Sequence, residues 1–282
     1  MGAAPARILF EKGHISRVTG VELSGGRLVV VKVRPRAERI AGCVAVQRHL
    51  FARGFPCPEP LAGPAPIGTG GECATAEALI PAGTELRAEA GAPSLLARLL
   101  AALIRLAPAP SEIPREPGIW PRPDDLDIDL DPDARRPSDW IDEIGRRVRA
   151  RLSAFAGDPV VGHADWESHN VRWRRRSPLA VDDWDSVASL GEPAIAGAAA
   201  AVFPSSSDGR TVAATIAQTE AFLGAYRVAR DRRWSTDAEE TCWAAGMWVL
   251  SYNARKETLG GGAGYVRHLD REAEQRLRRA GA

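Results

Sequence analysis

The chain has 282 residues, a formal net charge of +1 and a hydrophobic fraction of 45%. This length and composition are enough to bury a core in one or two domains, and the near-neutral charge argues against a general nucleic-acid binder. The N-terminus lacks the pattern of a secretory signal, and no stretch approaches the ~20 apolar residues of a membrane span, so we expect a soluble, cytoplasmic protein.

The N-terminal region alternates between β-branched runs and short turns, which predicts three antiparallel strands at 7–10, 18–23 and 28–33. Lys32 lies inside the last run, Val29-Val30-Val31-Lys32-Val33, and it is one of only three lysines in an arginine-rich chain. A lysine inside a buried strand must find an anion or reach solvent. Two interpretations stay open: a compact ammonium that binds an anion, and an edge-strand lysine that faces water.

Apolar periodicity and Gly/Pro punctuation predict the remaining elements. In chain order these are a helix at 36–53, a loop at 58–71, a strand at 73–80, a helix at 94–106 capped by Ser94, a helix from Ser138-Asp139 to 155, a short strand at 160–161, and helices at 211–230, 237–255 and 265–279. The four cysteines form no C-x-x-C pair, which favours free thiols in a reducing compartment.

A proline-rich connection at 107–137 contains six aspartates between Asp124 and Asp133. Such a run is typical of a solvated loop, and the alternative is a lip that attracts a cationic substrate. The sequence does not decide between the two.

The strongest chemical pattern is the segment from Val161 to Asp185, VGHADWESHNVRWRRRSPLAVDDWD. Asp165 and Asn170 are five positions apart on a predicted loop, and Asp183 follows a short apolar run. One carboxylate is suited to orient a hydroxyl, and an amide oxygen with a second carboxylate suits Mg²⁺, which needs few protein ligands when phosphates supply the rest. The pattern predicts a phosphoryl-transfer site, and a polar hairpin with coincidental spacing is the alternative.

Four arginines fill the hairpin that follows Asn170, and we expect them to form a solvated turn: Arg172, Arg174, Arg175 and Arg176. Only Trp173 is interleaved with them, so the pattern does not favour stacking on RNA.

The segment resembles the catalytic core of the aminoglycoside phosphotransferase and choline kinase-like family, which shares its fold with protein kinases. The family pattern H-G-D-x4-N followed by I-D-W-D corresponds here to H-A-D-x4-N followed by D-D-W-D. The resemblance implies an α+β, bilobal protein kinase-like fold. It divides the chain into an N-lobe at 1–80 and a mainly helical C-lobe at 81–282.

The resemblance also implies roles for individual residues. Asp165 would orient the acceptor hydroxyl and take its proton, Asn170 and Asp183 would hold Mg²⁺, and Lys32 would contact the α- and β-phosphates of ATP, with GTP as the alternative. Further nucleotide contacts are implied in the first turn and the hinge, at Ser16, Glu77, Leu79 and Ile80. The implied function is transfer of the γ-phosphate to a hydroxyl of a small molecule. The acidic run favours a cationic acceptor such as an aminoglycoside-like antibiotic, and a sugar, an amino alcohol and a nucleoside-like compound are the alternatives.

Two further residues of the motif have expected structural roles. We expect His163 to brace the catalytic loop and Asp185 to hydrogen-bond the backbone of its own turn. A peptide acceptor is not favoured, because the segment between Asp185 and Pro193 is too short for a peptide-docking activation segment.

The chain departs from the family pattern at four places. The first turn is poor in glycine, Ala164 replaces a glycine, and Ala196 replaces the aspartate that commonly braces the catalytic loop. The helix at 36–53 also lacks the glutamate that usually pairs with the strand lysine. These departures support an alternative function, a nucleotide-binding pseudokinase with a regulatory role, whereas the intact set of Lys32, Asp165, Asn170 and Asp183 favours an enzyme.

Overall fold

A computed structural model of the chain describes residues 3–13, 16–86, 91–113, 139–209, 212–260 and 264–282. Its N-terminal part is a five-stranded antiparallel sheet with the strand order β1-β2-β3-β5-β4. The strands are β1 (Pro5–Gly13), β2 (Arg17–Leu23), β3 (Leu28–Pro35), β4 (Pro60–Ile67) and β5 (Glu72–Ala78).

Strand β3 lies at the centre of this sheet, between β2 and β5. In its pairing with β5, Val30 lies opposite Glu77 and Lys32 lies opposite Thr75. Directly opposed residues share a face of the sheet, and so do residues two positions apart on one strand, so Lys32 and Glu77 project from the same face as diagonal neighbours. The sheet therefore places a buried carboxylate beside a buried lysine.

Helix α1 (Arg39–Ala52) packs against β4 and against a short 3₁₀ helix, Trp184–Ser186, of the D-D-W-D segment. The prediction of a loop at 58–71 was wrong, because most of that stretch forms β4. Its three prolines are tolerated since β4 is an edge strand, where missing N–H donors cost no sheet hydrogen bonds.

The rest of the chain is mainly helical. The helices are α2 (Ala92–Leu106), α3 (Asp139–Ala154), α4 (Glu192–Val202), α5 (Ile216–Arg230), α6 (Thr236–Gly260) and α7 (Gly264–Ala280). Helix α6 packs against α3, α4 and α7, and α2 packs against α5. Helix α2 begins two residues before the predicted Ser94 cap, with Gly91 as its N-cap.

Helix α4 was not predicted from the sequence. It is buried from Pro193 to Val202, so it shows no alternation of polar and apolar faces. Gly197 allows its close contact with α6, because a Cβ atom there would lie 2.0 Å from the Cys242 carbonyl oxygen. A side chain at position 197 is therefore incompatible with this packing.

Two small antiparallel sheets hold the H-A-D-x4-N and D-D-W-D motifs. Strand β6 (Pro159–His163) pairs with β9 (Val187–Gly191), and β7 (Val171–Arg174) pairs with β8 (Ser177–Val181). Asn170 directly precedes β7, and Asp183 follows the end of β8 by two residues. The predicted α+β class is confirmed.

The acidic run at 124–133 and residue 138 lie outside the described residues. Within the described ranges, no helix combines the length and the apolar character that crossing a bilayer requires.

Candidate active site

Asp165 and Asn170 are joined directly by hydrogen bonds within the loop between β6 and β7. Asn170 Nδ2 donates to the Asp165 carbonyl oxygen at 3.0 Å and to Asp165 Oδ2 at 2.8 Å. Both hydrogens of the amide nitrogen are used in these bonds, so the amide oxygen is the group left to bind a cation. The loop thus presents one oriented carboxylate and one amide oxygen side by side.

His163 links this loop to the D-D-W-D segment. Its Nδ1 accepts from the Asp165 backbone N–H at 3.3 Å, and its Nε2 donates to the Asp182 carbonyl at 3.1 Å. The ring is buried and makes edge contacts with Trp166 and Trp184. This is the bracing arrangement expected for it, and it sets the spacing between Asp165 and the residues around Asp183.

Lys32 reaches from β3 to the same segment. Its Nζ lies 3.4 Å from Glu77 Oε1, 3.4 Å from Asp183 Oδ1 and 3.8 Å from Asp185 Oδ1. Burial would lower the pKa of the Lys32 ammonium, but Glu77 and then the two aspartates raise it above its ordinary value. Lys32 is therefore a firmly charged cation inside an acidic cluster, and the interpretation as a water-facing edge lysine is wrong.

Asp183 occupies a left-handed backbone conformation, with φ 60° and ψ 48°, which aspartate tolerates better than most residues. Burial would raise the pKa of its carboxyl, but the Lys32 ammonium and a hydrogen bond with Asp185 lower it below its ordinary value. Ser186 Oγ donates to Asp183 Oδ2 at 3.3 Å. Asp183 is thus held as a carboxylate facing the lysine.

Asp185 does not hold its own turn in the way the sequence suggested. Its carboxylate forms an ion pair with Arg34 of β3, and Arg39 of α1 donates to its backbone carbonyl at 2.6 Å. Burial, followed by the charge of Asp183, raises the pKa of Asp185. Asp185 therefore connects the D-D-W-D segment to the sheet and to α1.

A cavity of about 1280 Å³ opens beside these groups, which is larger than a typical small-molecule pocket. Its lining includes residues from the first hairpin, the central sheet, the catalytic loop and the segment after α4: Phe10, Val18, Val30, Lys32, Glu77, Leu79, Glu85, Asn170, Asp183 and Asp208. The volume can accommodate a nucleotide together with a second small molecule.

The four predicted nucleotide contacts have different positions relative to this cavity. Glu77 and Leu79 line it, whereas Ser16 and Ile80 are not among the described residues that do. The Ile80 carbonyl accepts a hydrogen bond from Arg172, and the Leu79 N–H donates to the Leu28 carbonyl at 3.0 Å. In this segment, the group that contacts Lys32 beside the cavity is therefore the side chain of Glu77.

Arg172 was predicted to lie in a solvated turn, and for this residue the prediction was wrong. Its guanidinium donates to Asp182 Oδ2 at 2.8 Å and to Oδ1 at 3.0 Å, in addition to Ile80. The other three arginines of the hairpin are exposed, and Trp173 is buried in the core, where it cannot stack on a base. Arg172 thus fixes the chain just before Asp183 to the segment after β5.

Replacing Arg172 by alanine should lower the free energy of unfolding by about 1.5–3 kcal/mol, the value typical of hydrogen bonds to charged groups. The effect arises because Asp182 and the Ile80 carbonyl both lose their donor. Urea unfolding of Arg172→Ala and of the exposed neighbour Arg174→Ala measures it. Equal stabilities of the two variants would show that the Arg172 contacts do not hold the site together.

Glu167 is a second carboxylate of the catalytic loop that the sequence did not single out. It is buried, and burial together with the charge of Asp165 raises its pKa. Its Oε2 lies 3.2 Å from His169 Nδ1, and His169 lines the cavity. The raised pKa favours the protonated, uncharged form of Glu167 at neutral pH.

Two departures from the family pattern have a structural account. Ala164 does not have a positive φ, so its position does not require glycine. Ala196 is fully buried in α4, and other contacts brace the loop: Trp166 Nε1 donates to the Leu96 carbonyl at 3.2 Å, and Ser168 Oγ donates to the Leu86 carbonyl. The loop is anchored to α2 and to the segment after β5.

The residues around Asn170 and Asp183 fit a hard divalent cation. Asp165, Asp183, Asp185 and Glu77 carry more negative charge than Lys32 and Arg34 offset. Oxygen donors suit Mg²⁺ and Ca²⁺. Within the described ranges, no group of three or more His, Cys, Asp and Glu side chains is placed to hold a metal ion.

The sequence profile of the phosphotransferase enzyme family matches residues 8–233. The chain therefore belongs to this family, and the prediction that it is a phosphotransferase is confirmed. No curated protein sequence matches the chain.

Solved structures of several small-molecule kinases share the fold. An amicoumacin kinase, hAmiN, in complex with AMP-PNP, Ca²⁺ and Ami, has 13% identity and a TM-score of 0.70, over 99% of this chain and 87% of that one. A thermostable mutant of aminoglycoside phosphotransferase APH(4)-Ia, with ADP and hygromycin B, has 15% identity and a TM-score of 0.64, over 99% and 96%. Spectinomycin phosphotransferase APH(9)-Ia, with ADP and spectinomycin, has 9% identity and a TM-score of 0.58, over 99% and 89%. The bilobal, kinase-like fold is thereby confirmed.

Proposed function

We propose that this phosphotransferase transfers the γ-phosphate of ATP, with Mg²⁺, to a hydroxyl group of a small, cationic acceptor. The observation that carries the proposal is the Asp165–Asn170 pair, held by His163 at a fixed spacing from Asp183 and Lys32. Phosphoryl transfer depends on positioning and on charge stabilisation, and this arrangement supplies both.

In this proposal, Asp165 orients the acceptor hydroxyl and takes its proton late in the transfer. An ordinary carboxylate suffices, because a loose transition state needs little nucleophilic push. The hydrogen bond from Asn170 to Oδ2 fixes the rotation of the carboxylate, which favours one oxygen for the acceptor. Lys32, which lines the cavity, binds the phosphates of the nucleotide.

Asn170 Oδ1 and the Asp183 carboxylate are the groups that would hold Mg²⁺. The metal supplies charge neutralisation for the phosphate oxygens when it is bound. The lowered pKa of Asp183 supports this role, since it keeps the ligand ionised at neutral pH.

The nucleotide would lie under the first hairpin and against β3 and β5. Val18, Val30 and Leu79 offer apolar surface to the base, and GTP remains the alternative to ATP. Ser16 and the backbone of Ile80 stay proposed contacts. We place the division between the phosphate-binding lobe and the acceptor lobe at residues 80 and 81, just after β5 ends.

A cationic acceptor is supported by carboxylates that line the cavity in addition to those around Lys32. These residues are Glu85 and Asp208. Two of the structural relatives were solved with hygromycin B and spectinomycin. We therefore propose an aminoglycoside-like antibiotic, or another amine-bearing alcohol, as the acceptor class.

The test is a transfer assay across matched acceptors. Purified protein, Mg²⁺ and ATP are incubated with amine-bearing alcohols, with their N-acetylated forms and with neutral sugars, and phosphorylated products are detected by mass spectrometry. We expect products from the amine-bearing alcohols and little product from their acetylated forms. Phosphorylation of neutral sugars alone would reject the cationic acceptor, and consumption of ATP without any phosphorylated product across the series would argue against the kinase function.

A further inference from the structure

The partner of Lys32 does not come from helix α1. The fourteen residues of this helix include no aspartate or glutamate, and Glu38, which precedes it, is exposed. A lysine that binds phosphates still needs a fixed position, because its side chain has four rotatable bonds and loses much freedom when ordered. Another group must therefore orient Lys32.

Glu77 of β5 is the carboxylate suited to this task. Its Oε1 lies 3.4 Å from Lys32 Nζ, and both side chains are 10% exposed. The two other carboxylates near Lys32 have other roles, since Asp183 is a proposed metal ligand and Asp185 pairs with Arg34. Among the ion pairs of the described residues, Glu77 pairs with Lys32 alone.

Gln47 connects this pair to α1. Its Nε2 donates to Glu77 Oε2 at 2.8 Å and to the Pro58 carbonyl at 3.1 Å, so the amide is held at two points. Gln47 is itself buried. Helix α1 thus contributes a neutral amide that holds Glu77, and the sheet contributes the carboxylate that pairs with Lys32.

We propose that Glu77 is the positioning residue that orients Lys32 toward the nucleotide phosphates, and that Gln47 fixes Glu77 and couples the pair to helix α1. This inference rests on the proposed function, in which Lys32 binds those phosphates. Lys32 and Glu77 lie on adjacent strands of one sheet, and the register of these strands places their side chains next to each other.

The test compares Glu77→Gln with a matched control, Glu72→Gln. Glu72 lies on the same strand and pairs with Arg17, but that pair is exposed. We expect Glu77→Gln to lower kcat at saturating nucleotide by about 10- to 100-fold, the loss typical of a misplaced catalytic group. Glu72→Gln should retain the wild-type kcat. A loss of folding alone would lower the amount of active enzyme without changing kcat per folded molecule.

A second readout reports on Lys32 without any turnover. The chain has only three lysines, Lys12, Lys32 and Lys256, so acylation by a small amine-reactive reagent can be followed at each one by mass spectrometry. Removing the Glu77 carboxylate removes one of the contacts that hold the Lys32 side chain in its buried position, so the amine becomes more accessible to the reagent. We expect Lys32 to be acylated faster in Glu77→Gln, with Lys12 and Lys256 unchanged.

The outcomes separate the inference from the proposed function. A wild-type protein without Mg²⁺- and ATP-dependent turnover would reject the proposed function itself. An active wild type, with Glu77→Gln as fast as Glu72→Gln or with unchanged acylation of Lys32, would reject only the role of Glu77.

Should Glu77→Gln not fold, Gln47→Met carries the test, since it keeps the volume of the side chain and removes the hydrogen bond to Glu77. Its kcat should fall about threefold to tenfold, the equivalent of one hydrogen bond, and an unchanged kcat would overturn the coupling.

Discussion

Replacing Asp165 by asparagine should abolish turnover and leave nucleotide binding intact. The asparagine keeps the shape of the side chain and an oxygen that can accept from Asn170, but it cannot take a proton from the acceptor. Loss of a general base typically costs about 10²- to 10⁴-fold in kcat. Single-turnover transfer from labelled ATP measures the chemical step, and calorimetric titration with nucleotide measures binding.

Asp158→Asn is the matched control for this substitution. Asp158 is exposed and lies just before β6, so the same chemical change there leaves the catalytic loop untouched. Transfer by Asp165→Asn at the rate of this control would reject Asp165 as the catalytic carboxylate. Loss of nucleotide affinity in Asp165→Asn would instead indicate that the residue shapes the nucleotide site.

Replacing Asp183 by alanine should remove the part of nucleotide binding that depends on Mg²⁺. Even residues that only support metal ligands typically contribute roughly 10- to 100-fold to metal affinity, so the direct ligand should contribute at least as much. Lys32 also loses one of its three carboxylates. Titration of ATP with Mg²⁺ and with EDTA should give different dissociation constants in the wild type and similar ones in Asp183→Ala.

Asp231→Ala is the control for the backbone strain that alanine introduces at a left-handed position. Asp231 follows α5 and has nearly the same left-handed conformation as Asp183, with φ 50° and ψ 49°. Alanine is strained at both positions, but only Asp183 faces the cavity. Asp231→Ala should therefore keep the Mg²⁺-dependent affinity, and a Mg²⁺ effect that survives in Asp183→Ala would contradict the ligand assignment.

The parts of the site that lie within one short segment were predictable from the sequence. Asp165, Asn170 and Asp183 belong to a local pattern whose spacing follows from a loop and a hairpin, and the structure does bring Asp165 and Asn170 into contact. Lys32 was recognisable because a lysine inside a valine run must satisfy its charge. These signals depend only on residue type and spacing, so they can be recognised in the sequence before the structure is known.

The contacts that depend on strand register were not predictable. Glu77 meets Lys32 only because Val30 lies opposite Glu77 across β3 and β5, and no local pattern fixes that register. Arg172 resembled its exposed neighbours in the sequence and differs from them only in facing Asp182. Helix α4 was missed because burial on all sides removes the amphipathic signal, although its proline near the first position is a helix-start signal.

Three of the departures that suggested a pseudokinase therefore have a structural account. The missing helix carboxylate has a counterpart in Glu77, Ala164 needs no positive φ, and Trp166 anchors the loop that an aspartate commonly braces. These observations favour an active enzyme over a regulatory nucleotide-binding protein.

The most direct test of the central claim is thermal unfolding of the wild-type chain with ATP, in the presence of Mg²⁺ and in the presence of EDTA. A ligand that binds only the folded state stabilises it by ~2.7 kcal/mol at a hundredfold excess over its dissociation constant. The account predicts a higher midpoint with ATP and Mg²⁺ and little change with ATP and EDTA. No shift with ATP or GTP, or an equal shift with EDTA, would contradict a metal-assisted nucleotide site formed by Lys32, Asn170 and Asp183.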